Sequence, residues 1–443
     1  MSLPLRNNHH ALGRMAPILL CLLPSIARAA DAELSGGDTA WILTSSALVL
    51  FMTIPGLALF YGGLVRGRNV LSILMQCFVI TSLMTVLWLV IGYSLSFSTT
   101  GMVEGTVNLR SFVGAFDLAF LKGVSAETME GSIPKSLHFL FQMTFIIITP
   151  ALMVGAFAER IKFSAVVLFS VFWAVLVYAP VCHMVWGGAG SWLGDMGVFD
   201  FAGGIVVHIT AGIGALVACI MIKPRDGYPE TQIVPHNLPR TVIGTGMLWV
   251  GWFGFNGGSA LGANGDAAMA IVVTQISAST ASLVWLLIEW KRFGKPSALG
   301  FMTGAIAGLA ALTPASGYVG PIGGLLIGLV SGYLCWLAAT AMKTKFGYDD
   351  SLDVFGVHGV GGFIGTLLVA VFAHEMFGGK EGALNIGKQF GVQVLAAVVT
   401  TVYTAIISWL ILKAVDKAVG LRVNEAEERE GLDTASHGET AYN

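Results

Sequence analysis

Charged side chains are scarce in this sequence: Asp, Glu, Lys and Arg make up 11% of its 443 residues, against roughly a quarter in a typical soluble domain. So little charge does not keep a chain of this length in water. The 24 basic and 26 acidic side chains nearly balance, so the basic patch or stripe that usually marks a nucleic-acid partner is missing. Cysteine is also sparse. Apart from Cys21, the four cysteines Cys77, Cys182, Cys219 and Cys335 stand singly inside apolar runs. That spacing suits no metal or redox motif, and they read as small packing residues. No phosphate loop, no nucleophile beside a base and no metal-ligand spacing is visible, so neither an enzyme nor a cofactor is expected.

Hydrophobic residues are abundant, at 55%, and the mean hydropathy is +0.77. Most of the chain falls into apolar runs of around twenty residues, each long enough as a helix to cross roughly 30 Å of hydrocarbon. The fold class is therefore an all-α membrane protein. Eleven transmembrane helices are expected, at about 40–65, 70–97, 136–158, 163–184, 203–222, 241–261, 267–288, 299–315, 319–342, 354–377 and 389–415. Residues 1–30 read as a signal peptide: Arg6 and Arg14, a short apolar run interrupted by Pro24, then Ala27-Arg28-Ala29 before Ala30-Asp31. A membrane domain over 31–415 and a cytoplasmic C-terminal tail over 416–443 follow.

Lys and Arg divide unequally between alternate loops. One set holds about sixteen, among them Arg66, Arg160, Arg225, Lys291, Lys343 and Arg422, against five in the other: Arg110, Lys122, Lys135, Lys380 and Lys388. The basic side is cytoplasmic by the positive-inside rule. The mature N-terminus is then periplasmic, the tail cytoplasmic, and the number of spans odd. An internal repeat is also visible. Phe60-Tyr61-Gly62-Gly63 ends the first span and Phe255-Asn256-Gly257-Gly258 the sixth, while Asp200 precedes His208 in span five and Asp353 precedes His358 in span ten. An offset of five spans reverses direction, so spans 1–5 and 6–10 read as an inverted repeat around a central pore.

Within these spans His208 and His358 stand out, because an ionisable group inside a bilayer is costly and calls for a reason. A neutral imidazole has one donor and one acceptor nitrogen, so two in contact can relay a hydrogen bond. Two other readings stand beside a pore: a satisfied packing pair, and bis-histidine haem ligation, which a Soret band would reveal. Asp200 and Asp353 each precede an apolar run and suit helix capping. Phe141 and Phe145 lie one helical turn apart, Trp186 follows span four, and Trp252, Phe255 and Ser259 cluster around the end of span six. An aromatic face attracts a desolvated cation by up to about 2 kcal/mol, and a hydroxyl accepts an N–H hydrogen bond. That combination suits NH4+ better than K+.

The motifs Phe51-Met52-Thr53-Ile54-Pro55-Gly56, Phe60-Tyr61-Gly62-Gly63, Asp200-Phe201-Ala202-Gly203-Gly204 and Asp353-Val354-Phe355-Gly356-Val357-His358-Gly359-Val360 resemble those of the ammonium transporter family, in order, from about Asp38 to His437-Gly438-Glu439. The resemblance implies a homotrimer in a bacterial inner membrane, each subunit with its own pore, and a cytosolic PII-type signalling partner. It also implies roles. Phe141, Trp186 and Ser259 would recruit ammonium outside; Phe145 and Phe255 would form a gate; His208, His358 and Trp252 would line the pore; and Asp200 would be a structural acid. A sensor signalling through its tail is a rival, but the tail is too short for a signalling domain with its own core. The stretch Glu425–Glu430 reads as a solvated helix or docking strip.

Overall fold

The computed structural model describes residues 33–231 and 233–442; the expected signal peptide lies outside the described residues. Eleven long helices follow one another: α1 (Gly36–Leu64), α2 (Gly67–Phe97), α3 (Lys135–Phe157), α4 (Phe163–Trp186), α5 (Gly204–Ile222), α6 (Leu238–Gly258), α7 (Gly265–Phe293), α8 (Ala298–Leu312), α9 (Pro321–Phe346), α10 (Phe355–Phe372) and α11 (Ile386–Val419). Nine of these, among the described residues, are long and apolar enough to cross a membrane. The other two are α6, whose six glycines and Arg240 dilute its hydropathy, and α8, whose 15 residues reach only about 22 Å.

Burial sorts the helices. The most apolar stretches of α3 and α5 are 83% and 72% buried inside the chain, whereas those of α2 and α11 are only 39% and 33% buried. The outward surface of the last two carries Phe78, Leu89, Val402 and Trp409, all exposed. Large apolar side chains pointing outward on a hydropathic helix match a lipid surround. Around the central helices, α6 packs against α1, α3 and α11 against α5, and α8 and α9 against α7. Gly308 and Gly328 both face the Ser277 carbonyl of α7, where an added Cβ would come within 2.4 and 2.7 Å of it. Their spacing therefore serves close helix packing.

The two ends of the bundle are tied differently. At one end, called here the Trp186 face, Asp38 accepts hydrogen bonds from Ser132 and from the Ala263 amide, and Gln393 bonds both backbone groups of Phe199. At the other, the Lys343 face, a buried ion network joins loops far apart in sequence. Arg225 pairs with Asp349 at 2.7 Å and Glu159 at 3.1 Å, and Arg66 also reaches Glu159.

The stretch Glu425–Glu430 is a helix exposed along most of its length, as expected, but Glu428 is buried. The first residues of the tail extend α11 to Val419, so the helix runs past the expected boundary at 415. Two short helices follow, α12 (Glu425–Glu430) and α13 (Leu432–His437), and they are strapped onto the Lys343 face. Glu428 is buried, accepting from the Asp226 amide and from Arg422. The Leu432 amide donates to Asn69, and Asp433 accepts from the Ser72 amide in the first turn of α2. Two acidic side chains of the tail, Glu428 and Asp433, are thus drawn out of solvent onto backbone amides and Arg422, while Glu425 and Glu430 stay exposed.

Candidate functional site

The site begins with the way α5 starts. Gly203 takes φ +110°, a left-handed conformation open to glycine, and the chain then enters a π-helical turn over Gly204–Ile209. Such an entry leaves backbone N–H groups without helical partners. Asp200 meets four of them: Oδ1 accepts from Gly203 and Gly204 at 3.0 and 2.6 Å, Oδ2 from Ile205 and Val206 at 2.9 and 3.1 Å. Burial pushes this carboxyl up to about 6, opposed by the four amides.

At the start of α10 the arrangement differs from the sequence expectation. Asp353 does not cap the helix; it sits at φ +59°, and its carboxylate pairs with Lys343 at 2.8 Å. The cap is Asp350, whose Oδ2 accepts from the Phe355 amide at 2.7 Å ahead of a second π-helical turn, Phe355–Gly359. Asp200 and Asp350 each lie eight residues before a histidine and each accept from amides at a π-helical entry. A spacing of five between Asp353 and His358 hid this in the sequence.

Glycine then brings the two histidine helices into contact. A Cβ on Gly212 of α5 would lie 2.2 Å from the Gly359 Cα of α10, and one on Gly362 would lie 2.7 Å from the His208 Cβ. At that crossing His208 and His358 touch through their Nδ1 atoms at 3.2 Å, rings 22° from parallel, both buried. Two metal–nitrogen bonds of about 2 Å each need roughly 4 Å between ligand atoms. The pair therefore does not fit a haem iron, and the bis-histidine reading is set aside.

On the Trp186 face of the pair lies a cavity of about 190 Å³, lined by Phe97, His138, Gln142, Phe145, Trp186, Phe201, Ser259 and Leu261. Trp186 is fixed by its indole N–H on the Asp200 carbonyl at 2.7 Å and meets Phe145 edge-on. The Ser259 hydroxyl donates to the Phe255 carbonyl at 2.8 Å, which leaves its lone pairs to accept from a guest. Phe141, expected at the mouth, is fully buried one helical turn before Phe145 on α3 and packs edge-on against it. Two lining residues went unnoticed in the sequence: His138, bonded to the Tyr93 hydroxyl at 3.0 Å, and Gln142, whose buried Oε1 has no partner. The helical spacing of His138, Phe141 and Phe145 was the signal available for the first.

The cavity floor is a pair of stacked rings, Phe145 and Phe255, with centroids 4.4 Å apart. Below it come His208, tilted against Phe255 and stacked on Trp252 at 5.4 Å, then His358. His358 lines a second cavity of about 320 Å³ on the Lys343 face, with Tyr61, Arg225, Tyr228, Lys343 and Asp353 also in its wall. The Trp252 indole N–H donates to Thr313 at 3.0 Å, a residue that no sequence pattern singled out.

Residues 40–442 match the family model described as the Ammonium Transporter Family. An ammonium transporter of Aquifex aeolicus is 44% identical over 428 residues, spanning 96% of this chain and 98% of its own. A putative ammonium transporter of Methanothermobacter thermautotrophicus is 45% identical over 413 residues, spanning 92% and 99%. Among solved structures, a Sensor Amt Protein superposes with TM-score 0.83 at 29% identity, over 90% of this chain and 98% of its own. The Mep2 protein of Saccharomyces cerevisiae does so with TM-score 0.81 at 31% identity, over 90% and 89%. A match of this extent, in sequence and in fold, means that the chain is a multi-pass membrane protein belonging to the ammonium transporter family.

Proposed function

We propose that the chain recruits NH4+ in the cavity beside Trp186, removes its proton above the Phe145–Phe255 stack and conducts NH3 along His208 and His358 to the opposite cavity. The supporting observation is one uninterrupted series: cavity, stacked phenylalanines, imidazole pair, cavity. Trp186 supplies a cation-attracting face, Ser259 an acceptor, and Phe141, packed edge-on against Phe145 from the Trp186 side, completes the recruitment site. Phe145 and Phe255 gate the path, Trp252 lines it beside the histidines, and Asp200 holds the mouth. Deprotonation makes the path selective. Neutral ammonia crosses an apolar conduit at low cost, while K+ and Na+ have no proton to shed and no ligands there to replace their water.

The proton travels with ammonia along the imidazoles, so uptake carries charge and the membrane potential drives it. Ammonium pulses given to proteoliposomes test this, read as both current and uptake. His208→Ala and His358→Ala are expected to abolish the current or the discrimination against K+. Unchanged selectivity and current in both would reduce the pair to packing residues.

The same reading includes eleven spans, with α6 and α8 crossing alongside the nine apolar helices, and two inverted halves related by the Asp200/His208 and Asp350/His358 registers. The Trp186 face is external and the basic Lys343 face cytoplasmic in a bacterial inner membrane, after removal of a signal peptide at about residue 30. A homotrimer of such subunits and a PII-type protein docking on the cytoplasmic face complete it.

A further inference from the structure

We infer that Thr313, in the first position past α8, fixes where the two protons of the histidine pair reside: on Nε2 of His208 and on Nδ1 of His358. The inference draws its meaning for transport from the proposed histidine path, but its geometry stands apart from it.

Three neighbours surround the fully buried Thr313 hydroxyl. Its oxygen lies 2.8 Å from the Leu309 carbonyl, 3.0 Å from the Trp252 indole nitrogen and 3.3 Å from Nε2 of His208. A hydroxyl has one hydrogen and two lone pairs, a carbonyl only accepts, and an indole N–H only donates. The single hydrogen therefore goes to Leu309, the shortest contact and an acceptor without a hydrogen of its own. One lone pair takes the Trp252 N–H. The remaining lone pair faces His208, so Nε2 must carry a hydrogen to bond with it.

The assignment then propagates. With Nε2 protonated in the neutral ring, Nδ1 of His208 is bare, and it lies 3.2 Å from Nδ1 of His358. Two bare nitrogens would repel, so His358 donates from Nδ1. Its Nε2 is consequently the unprotonated end of the pair, on the residue that lines the Lys343-face cavity. The reverse pattern requires the threonine hydrogen to leave the Leu309 carbonyl for His208. The Leu309 carbonyl would keep the Thr313 amide as a partner, but the hydroxyl would exchange a bond of 2.8 Å for one of 3.3 Å, and the shorter bond is the stronger. Thr313 is thus a positioning residue: it touches the pair rather than the substrate path, and it gives the relay a resting polarity.

The test is solid-state NMR of protein labelled with nitrogen-15 in histidine, in lipid bilayers, where protonated and bare imidazole nitrogens separate widely. Close Nδ1–Nδ1 correlations single out the pair among the nine histidines of the chain. The expected wild-type spectrum shows a bare Nδ1 correlated with a protonated Nδ1. Thr313→Ser, which keeps the hydroxyl, is expected to preserve it. Thr313→Val, which keeps the shape and removes the acceptor, is expected to split each resonance between both tautomers. A wild-type His208 protonated on Nδ1, or a Thr313→Val spectrum identical to wild type in a correctly folded protein, overturns the inference. Because the readout is spectroscopic, a failure of charge-coupled uptake with the tautomers as assigned would instead count against the proposed function alone.

Discussion

Asp200 answers four backbone N–H groups with two oxygens, and no other side chain of its size accepts on both. Asn offers one acceptor and turns an NH2 group toward the other two amides. Asp200→Asn is therefore expected to destabilise the protein by about 1–3 kcal/mol for each amide left stranded, read as a lower thermal unfolding midpoint in detergent. A midpoint equal to wild type would make the carboxylate dispensable. Gln142 presents the opposite situation: its buried Oε1 lacks a partner, and the residue lines the Trp186-face cavity. A hydrogen bond to a charged guest contributes roughly 1.5–3 kcal/mol. Gln142→Leu should then raise the half-saturating ammonium concentration about tenfold or more while leaving the maximal rate largely unchanged. An unaltered concentration dependence would remove Gln142 from the recruitment site.

The helices explain which parts of the site could be read before the structure. Long apolar runs declare themselves through hydropathy, and two histidines inside them are conspicuous because such groups are costly there. Their contact was less legible. It depends on Gly212 and Gly359 meeting across the α5–α10 crossing, and a glycine in a membrane helix looks the same in sequence whether it faces lipid or a backbone. Gly212→Val tests the crossing. Its Cβ would enter the Gly359 backbone, so α5 and α10 must part by an ångström or more, at a cost of about 1–3 kcal/mol; uptake is expected to collapse along with the Nδ1–Nδ1 correlation. Survival of both would show that the helices tolerate a wider spacing. Asp350, Gln142 and Thr313 were illegible for a related reason. Asp350 and Thr313 act through lone pairs aimed at a group hidden by a helix entry or distant in sequence, Gln142 through one left unpartnered, and no periodicity encodes aim.

Across the whole molecule, the Lys343 face is held by charges and the tail by hydrogen bonds. Burial disfavours ionisation of Glu159 and Asp349, but Arg225 offsets it, with Arg66 also helping at Glu159, and both carboxyls lie below their ordinary values of 4.5 and 3.8. Groups depressed in this way stabilise the fold above those values, and the contribution is lost as the pH falls through the lower folded ones. Asp350 has the opposite sign: burial pushes it up to about 6 from 3.8, so its contribution is present in acid and fades as the pH rises toward 6. The thermal midpoint is expected to fall steeply below about pH 4 and to soften slightly above pH 5; a flat acid limb would contradict the role of the buried ion network. Removing residues 424–443 strands the Ser72 amide and takes Glu428 from Arg422, which keeps the Ile222 and Pro224 carbonyls, and should lower the midpoint further, by at least the roughly 1–3 kcal/mol of one orphaned amide. An unchanged midpoint would leave the tail a loosely attached appendage. The stacked rings between the two cavities have a consequence for the cell. With centroids 4.4 Å apart, the rings lie in van der Waals contact, and as the proposed gate they would break a file of water along which protons could leak unaccompanied. On the proposed path, many copies of such a protein would sit in an energised membrane without short-circuiting its proton gradient.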